Sequence, residues 1–437
     1  MRWRVEPSRS MRCDIQVPGD KSISHRAVML GAVAEGTSRI SGFSDGGDNQ
    51  RTRTALAALG ADIRSESPGQ LSIDGVGLRG LRQAGGDLDM GNSGTAMRLL
   101  AGLLCAQPFA SRLIGDASLS ARPMRRVIEP LQRMGARISA REGGTAPLEI
   151  APAEGPMRGA RHRLEQVSAQ VKSALLLAGL YADDVVEVIE CGVTRNHTEL
   201  MLEAMGARIS GAPGGRVGLA PPQRLRALSL DIPGDLSAAA FLLVAGALAQ
   251  RGAVRLHGVG VNPTRDGVLR ILTAMGADIR VADERRQGGE PLADLEVHPG
   301  NLRGIAIEPE WVPLAIDEFP ALLIAAACAE GVTELRGASE LRIKETDRLE
   351  AMAQVLRTLG VDVEPLPDGI IVEGLGADGR FSGGHVRSRG DHRIAMAAAI
   401  AALRSDGDII IDDCECVATS WPGFAAVLSR AGVLIET

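Results

Sequence analysis

Residues 17–30 read VPGDKSISHRAVML, and this stretch begins a helix whose first turn is positively charged. The proline and glycine end the preceding segment, and Asp20 is a good N-cap residue. Lys21 and Arg26 then add cations at the end of the helix where the macrodipole is already positive. Such a helix start is suited to binding phosphate or carboxylate. On this stretch alone, a solvated helix start whose charges face water remains the alternative interpretation.

The composition is that of a globular protein with more than one domain. A chain of 437 residues is too long for one ordinary domain, and 45% of its residues are hydrophobic while 23% are charged. The net charge of −6 argues against a nucleic-acid or anionic-membrane partner, so we expect basic clusters to be local sites.

The cysteine pattern and the hydropathy indicate a cytoplasmic protein. The six cysteines are scattered without the paired spacing of a zinc site, so we expect reduced thiols and no metal. No signal-peptide core is visible at the N-terminus, and no uncharged run reaches the roughly 18 residues of a membrane span. The seven histidines also lack metal-binding spacing, and we expect His25 and His392 to form hydrogen bonds or to be structural.

A local pattern recurs six times along the chain: a helix ends at a glycine and an alternating, strand-like run follows. The intervals between successive glycines range from 70 to 84 residues. The longest interval contains the polar residues 283–290, which predict a surface loop. The six glycines are Gly60, Gly135, Gly206, Gly276, Gly360 and Gly432.

Each repeat also contains an Ala- and Leu-rich helix that is apolar on all sides, which predicts burial. The pattern indicates an α/β fold with two similar domains of three repeats each. The related stretches at 17–20 and 232–235 predict a double hinge near 18–20 and 233–235, so that one domain comprises 1–18 plus 233–437 and the other 19–232. The buried helices are predicted to start near Lys21, Asn92, Ser168, Asp235, Asp317 and Asp391.

The starts of these helices carry polar groups, and we expect them to face a common cleft whose helix dipoles attract anions. Two anionic groups could be held there, with Asp317 and Glu345 exchanging protons among the cations. The residues alone therefore predict a transferase or lyase that acts on a phosphorylated acid. The cations that could hold these anionic groups are Lys21, Arg122, Lys172, Arg195, Lys344, Arg348 and Arg393.

Six motifs together closely resemble the 5-enolpyruvylshikimate 3-phosphate synthase family, from about residue 12 to 430. The resemblance implies two domains, each of three βαβαββ units around buried helices, the inside-out α/β barrel of the enolpyruvyl transferases. The motifs are Pro18-Gly-Asp-Lys-Ser-Ile-Ser-His-Arg26, Asn92-Ser-Gly-Thr-Ala-Met-Arg98, Ser168-Ala-Gln-Val-Lys-Ser-Ala174, Asp317-Glu-Phe-Pro320, Arg342-Ile-Lys-Glu-Thr-Asp-Arg348 and Asp391-His-Arg393.

By the same resemblance, the chain would transfer the enolpyruvyl group of phosphoenolpyruvate to the 5-hydroxyl of shikimate 3-phosphate in the shikimate pathway to chorismate and aromatic amino acids. Asp317 would be the base for the hydroxyl, and Glu345 with Lys21 would move the methylene proton. Shikimate 3-phosphate would contact Lys21, Ser22, Arg26, Ser168, Ala169, Gln170, Arg195, Asp317 and Lys344. Phosphoenolpyruvate would contact Lys21, Gly94, Arg122, Gln170, Arg348 and Arg393.

The resemblance further implies a monomer that needs no cofactor or metal and is inhibited by glyphosate at the phosphoenolpyruvate site. Gly94 is typical of glyphosate-sensitive members. The chain departs from some members at Thr419, where they have a lysine, and at Glu340, where they have an asparagine.

Two alternatives remain. The sister family, UDP-N-acetylglucosamine enolpyruvyl transferase, shares the architecture but usually has a reactive cysteine in the loop that corresponds to 115–125, where this chain has none. A non-catalytic relative that binds anions is the other alternative, and the intact set of Asp317, Glu345 and Lys21 argues against it.

Overall fold

The computed structural model describes residues 1–221 and 224–437, which form two compact lobes. Lobe 1 comprises residues Met1–Pro18, Pro233–Arg285 and Pro291–Thr437. Lobe 2 comprises residues Gly19–Ile232 and Arg286–Glu290.

Helices and short runs of strands follow one another along the chain. Up to residue 232 the elements are β1 (Trp3–Val5), β2 (Cys13–Ile15), α1 (Lys21–Ala32), β3 (Glu35–Ser41), α2 (Gly47–Ala58), β4 (Asp62–Ser67), β5 (Gln70–Val76), β6 (Leu88–Asp89), α3 (Gly94–Leu104), β7 (Ser111–Ile114), α4 (Ala117–Ala121), α5 (Arg125–Arg133), β8 (Ile138–Ser139), β9 (Leu148–Ile150), β10 (Arg161–Arg163), α6 (Ala169–Gly179), β11 (Val186–Ile189), α7 (His197–Ala204), β12 (Ile209–Gly211), β13 (Arg216–Leu219) and β14 (Ser229–Asp231).

The remaining elements include 3₁₀ helices at Pro309–Trp311, Pro313–Ala315, Ser339–Ile343, Ala401–Arg404 and Cys414–Thr419. They are α8 (Leu236–Leu248), β15 (Val254–Gly260), α9 (Gly267–Ala274), β16 (Asp278–Gln287), β17 (Glu290–His298), α10 (Phe319–Ala327), β18 (Val332–Leu335), α11 (Arg348–Thr358), β19 (Val363–Leu366), β20 (Gly369–Glu373), β21 (Gly384–Arg387), α12 (His392–Ile400), β22 (Ile409–Asp412), α13 (Phe424–Ala431) and β23 (Ile435–Glu436).

Lobe 2 contains three four-stranded sheets of the same design, in the orders β14-β3-β5-β4, β6-β7-β9-β8 and β10-β11-β13-β12. In each sheet the first two strands are parallel and the other neighbours are antiparallel. A parallel pair needs a crossover connection, and α3 and α6 supply it in the second and third sheets. The three sheets are therefore copies of one supersecondary unit.

Two sheets of lobe 1 repeat the design, in the orders β16-β17-β15-β2 and β21-β22-β1-β23, while the other sheet, β18-β20-β19, has three strands that pair antiparallel. The strand β2 is parallel to β15, although β2 directly precedes α1 of lobe 2 in the chain. The N-terminal strand β1 is antiparallel to both β22 and β23, and the rings of Trp3 and Phe424 stack there with centroids 6.1 Å apart. The first strand of the chain thus completes the sheet that the last strand also enters.

Six helices have almost only buried residues, three in each lobe: α1, α3 and α6 in lobe 2, and α8, α10 and α12 in lobe 1. They begin within two residues of the predicted starts, and side-chain caps fix the starts of five of them, all except α10. The side chains of Asp20, Ser93, Ser168, Asp235 and Asp391 accept hydrogen bonds from backbone N–H groups of the first turn.

The six repeated glycines all have a left-handed backbone, with φ between +87° and +109°. This conformation is costly for residues that have a Cβ atom, which explains why glycine ends the helix each time. The structure confirms this prediction. Together with the six sheets, it confirms the expected α/β architecture of repeated units around buried helices.

The prediction of a surface loop at residues 283–290 is wrong. These residues form the end of the hairpin of β16 and β17, with Gly288 and Gly289 at the turn. Glu290 is buried, and its carboxylate lies 2.7 Å from Nδ1 of His197 in lobe 2. Polar composition misled the prediction because the polar side chains belong to an exposed strand.

Within residues 1–221 and 224–437, no helix is long and apolar enough to cross a membrane. The same residues contain no cluster of His, Cys, Asp or Glu side chains that could hold a metal ion.

Candidate active site

The first turn of α1 holds Lys21 against a carboxylate. The ammonium nitrogen of Lys21 lies 2.5 Å from Oδ2 of Asp48, and both side chains are mostly buried. The backbone of the same turn is fixed as well, since Asn49 donates to the Lys21 carbonyl over 2.9 Å. Asp48 lies in a polar stretch that the sequence analysis did not assign to the site. Its position fixes the direction of the lysine side chain.

Arg26 lies one turn further along α1 and is almost fully buried. Its Nε donates to Thr198 Oγ1, its Nη2 to Ser173 Oγ, and its Nη1 to the Ser22 carbonyl, over 2.7 to 2.9 Å. Burial lowers the pKa of Arg26 to about 10, and the carboxylate of Glu199 opposes this shift. The guanidinium therefore stays charged at neutral pH.

His25, beside Arg26, is structural as predicted. Its Nδ1 lies 2.7 Å from Thr52 Oγ1 in the lobe 2 interior. Burial lowers the pKa of His25 well below its usual value, and the charges of Lys21 and Arg26 act in the same direction. The imidazole is therefore neutral.

The start of α3 brings Gly94 beside two arginines. A Cβ atom on Gly94 would lie 3.1 Å from Nη1 of Arg98 and 3.3 Å from Nη1 of Arg122. Arg122 follows α4, and its Nη2 donates to the side-chain oxygen of Asn92. The missing side chain leaves room for a ligand to approach the Arg122 guanidinium.

The start of α6 places Ser168, Ala169 and Gln170 in one turn, with Ser168 as the N-cap. Gln170 is fixed from both ends of its amide, because Arg98 donates to its oxygen and its nitrogen donates to Thr95 Oγ1 over 2.9 Å. Arg98 is thus a further member of the site that the sequence analysis quoted without assigning a role.

Lys172, predicted as one of the anion-holding cations, lies in the interior of lobe 2. Its ammonium nitrogen is 3.0 Å from Oε1 of Glu190 and 2.5 Å from Oε1 of Glu199. The side chain is 0% exposed, so it is not available to a ligand. Arg195, by contrast, lies in the partly exposed segment between β11 and α7.

In lobe 1, Asp317 stands two residues before α10 and lies between two cations. Its Oδ1 is 3.5 Å from the ammonium nitrogen of Lys344 and 3.3 Å from Nη1 of Arg348. Lys344 also lies 3.3 Å from Oε1 of Glu340, one of the positions at which this chain departs from some relatives. Two nearby cations stabilise the ionised form of a carboxylate, which is the form a general base requires.

Arg348 begins α11 and is in contact with three carboxylates. It donates to Asp391 over 2.8 Å and to Glu345 over 2.7 Å, and it also contacts Asp317. Although burial opposes the effect, the charges of Asp391, Glu345 and Asp317 raise the pKa of Arg348. This one guanidinium therefore brings together the predicted base, Asp317, and the predicted proton carrier, Glu345.

Asp391 connects Arg348 to the start of α12. Its Oδ1 accepts the Arg393 backbone N–H over 2.9 Å as a helix cap, and its Oδ2 accepts from Arg348. The Arg393 guanidinium donates to the Asp317 carbonyl over 2.8 Å. The sequence placed Asp391 only at the start of a buried helix and in a family motif, and its contact with Arg348 depends on chain segments 43 residues apart.

Thr419 contributes no cation to this region. Its hydroxyl donates to the Cys416 carbonyl over 2.7 Å at the end of a 3₁₀ helix.

A family model described as EPSP synthase (3-phosphoshikimate 1-carboxyvinyltransferase) matches residues 5–428. The chain belongs to the EPSP synthase family. Its sequence is 53% identical over 435 residues to the 3-phosphoshikimate 1-carboxyvinyltransferase of Alkalilimnicola ehrlichii, covering 100% of this chain and 96% of that protein. It is 48% identical over 428 residues to the enzyme of the same name from Geobacter sulfurreducens, covering 98% of each chain.

A solved structure of EPSP synthase from Acinetobacter baumannii has the same fold. The TM-score is 0.90 with 46% sequence identity, and the match covers 100% of this chain and 99% of that one. These findings confirm the family resemblance, the fold class and the prediction that the protein is a carboxyvinyltransferase of the EPSP synthase family.

Proposed function

We propose that this chain transfers the enolpyruvyl group of phosphoenolpyruvate to the 5-hydroxyl of shikimate 3-phosphate and releases phosphate. The observation that carries the proposal is the arrangement around Asp317, a carboxylate with Lys344 at 3.5 Å and Arg348 at 3.3 Å. Glu345, a second acid, lies 2.7 Å from Arg348. A base and an acid held by one arginine suit a reaction that adds and then removes a proton.

In the first step, Asp317 takes the proton of the 5-hydroxyl as its oxygen attacks C2 of phosphoenolpyruvate. The methylene carbon C3 gains a proton, which Glu345 or Lys21 supplies. The product of this step is a tetrahedral intermediate that keeps both the carboxylate and the phosphate. In the second step, the new methyl group returns a proton to the protein, the C2–O bond to phosphate breaks, and the enol ether forms.

The cations stabilise the negative charge of the substrates and of this intermediate. We propose that phosphoenolpyruvate, and glyphosate in its place, contacts one set of side chains. The set is Lys21, Gly94, Arg122, Gln170, Arg348 and Arg393. Two observations support this set: Gly94 lies beside the Arg122 guanidinium, and the Arg393 guanidinium donates to the Asp317 carbonyl.

Shikimate 3-phosphate is proposed to contact the starts of α1 and α6 and the segment before α7. Its phosphate and carboxylate would accept from serine hydroxyls, backbone N–H groups and cations. The proposed contacts are Lys21, Ser22, Arg26, Ser168, Ala169, Gln170, Arg195, Asp317 and Lys344.

We also propose that the protein acts as a cytoplasmic monomer. One chain supplies every residue of both proposed substrate sets, so catalysis needs no second copy. All six cysteines are free thiols in the structure, which suits a reducing compartment.

The test is a phosphate-release assay with purified protein and both substrates, with the product identified by mass spectrometry. Turnover with shikimate 3-phosphate and none with UDP-N-acetylglucosamine is the expected result. Turnover with the nucleotide sugar would assign the chain to the sister activity. Binding of both substrates without phosphate release would favour a non-catalytic relative.

A further inference from the structure

Lys172 is among the largest fully buried side chains in the described part of the chain. It lies on α6 two residues beyond Gln170, and its ammonium group points into lobe 2 between Glu190 and Glu199. A buried charge is costly unless opposite charges compensate it. The helix α6, whose first turn belongs to the proposed substrate site, therefore also carries an ion-paired cation two residues beyond Gln170.

Glu190, the first of the two carboxylates, forms a hydrogen bond with the segment that carries Arg195. Its Oε1 accepts the hydroxyl of Thr194, and its Oε2 accepts the N–H of Gly214 over 3.0 Å. Since Thr194 directly precedes Arg195, the conformation of the segment before α7 depends on where the Glu190 carboxylate lies. Lys172 is the cation that holds this carboxylate.

Glu199, the second carboxylate, lies in the first turn of α7 next to Thr198. Thr198 accepts from Arg26 over 2.7 Å and donates to Ser173, the neighbour of Lys172, over 2.7 Å. The start of α7 is thus attached to α6 by an ion pair and a hydroxyl contact, and to α1 by Arg26. The two cations Lys172 and Arg26 balance the two carboxylates in this buried cluster.

We infer that Lys172 is a positioning residue for shikimate 3-phosphate: by holding Glu190 and Glu199 it fixes the segment of Arg195 and the support of Arg26. Lys172 itself touches neither substrate. The inference rests on the proposed function, because that function makes Arg195 and Arg26 contacts of shikimate 3-phosphate. It replaces the sequence-based prediction that Lys172 binds an anion directly.

The test compares Lys172→Met, Glu199→Gln and the double variant. The single Lys172 variant removes the ion-pair partner that two buried carboxylates share and can fail to fold. The double variant removes one positive and one negative charge, so it keeps the net charge of the cluster. We expect the double variant to fold, as judged by circular dichroism and thermal unfolding.

In the double variant the KM for shikimate 3-phosphate should rise about 10- to 100-fold, the effect of a small misplacement of binding groups. The rise should exceed that of Glu199→Gln alone. The KM for phosphoenolpyruvate should rise by a smaller factor, since it shares only Lys21 and Gln170 with the shikimate 3-phosphate set, and its other proposed contacts, Gly94, Arg122, Arg348 and Arg393, lie outside the cluster. A general loss of structure would instead lower the active fraction and leave both KM values unchanged.

Leu177→Ala is the matched control, because Leu177 is a buried residue of α6 outside the polar cluster. It should lower stability and leave both KM values unchanged. A folded double variant with the parent KM for shikimate 3-phosphate, or with both KM values raised equally, would overturn the inference alone. A parent protein that does not turn over the two substrates would overturn the proposed function, and the inference with it.

Discussion

The ammonium nitrogen of Lys344 lies 3.5 Å from Oδ1 of Asp317. Arg348 approaches the same oxygen to 3.3 Å, so the proposed base is ion-paired before any substrate arrives. Cations at this distance stabilise the negative charge of a carboxylate. The base therefore requires no activation by another carboxylate, and removing its charge should affect chemistry more than binding.

Asp317→Asn is expected to lower kcat by about 10²-fold or more, in line with the contribution of a general base. The amide keeps the size of the side chain, so the KM values should change much less. Steady-state kinetics with both substrates measure this. Asp278→Asn, at an exposed acid of β16, is the control and should retain the parent kcat. A kcat within a few-fold of the parent in Asp317→Asn would remove Asp317 from the mechanism.

Asp391→Asn and Asp391→Ala separate the two roles of Asp391. Asparagine can still cap α12, whereas alanine removes both the cap and the charge beside Arg348. We expect Asp391→Ala to be less stable than Asp391→Asn by about 1 kcal/mol, the usual value of an N-cap, in denaturant unfolding. Both should raise the KM for phosphoenolpyruvate, because Arg348 loses its principal partner. Equal stabilities would show that the cap contributes little.

Gly94→Ala is expected to raise the inhibition constant of glyphosate more than the KM for phosphoenolpyruvate. The added methyl group would crowd the Arg98 and Arg122 guanidiniums at 3.1 and 3.3 Å. Overpacking of this kind costs about 1–3 kcal/mol, or about 5- to 150-fold in affinity. The longer inhibitor should tolerate the lost space less well than the substrate.

Gly155→Ala serves as its control, since a Cβ atom there has no described neighbour within 4 Å. If Gly94→Ala raises the inhibition constant of glyphosate and the KM for phosphoenolpyruvate by the same factor, other residues determine the length of the pocket. The same conclusion would follow if the parent enzyme were already insensitive to glyphosate.

Acid should destabilise the protein through His25. Its pKa is lowered in the folded state, so below the unfolded pKa of about 6.5 the unfolded chain binds a proton that the folded chain excludes. Stability is then lost as the pH falls below about 6.5, by up to about 1.4 kcal/mol per pH unit. In His25→Gln the free energy of unfolding should fall less steeply between pH 6.5 and 5.

His257→Gln gives a comparison of opposite sign. Hydrogen bonds to Asp294 and Asp14 raise the pKa of His257, so its contribution to stability is present at acidic pH and is lost as the pH rises. Its removal should make the loss of stability on acidification steeper. Identical slopes in the parent and His25→Gln would show that His25 is not the group responsible.

The repeated architecture could be predicted from the sequence because its signals are local. A left-handed glycine such as Gly60, a cap such as Asp20 and an apolar helix all leave their pattern within one turn. The starts of the six buried helices followed from these signals.

The direction of each charged side chain could not be predicted in the same way. Lys172 and Gln170 lie in one helix start, yet the lysine points to carboxylates 18 and 27 residues away in the sequence. The ion pairs of Asp48 with Lys21 and of Asp391 with Arg348 were not predicted for the same reason, since the two partners of each pair are distant in the chain. Whether a cation meets a ligand or a buried carboxylate is a property of tertiary packing.

The pairing of β1 with β22 has a consequence for biosynthesis. The sheets of lobe 2 are complete once residue 231 has been made, but Trp3 must wait for Ile411 before its sheet can form. At about 5–20 residues per second, ribosomes need roughly 20 to 80 seconds to translate the chain from Trp3 to Ile411. Throughout that interval the first strand of the nascent chain lacks its partner β22, so this sheet cannot form before translation is nearly complete.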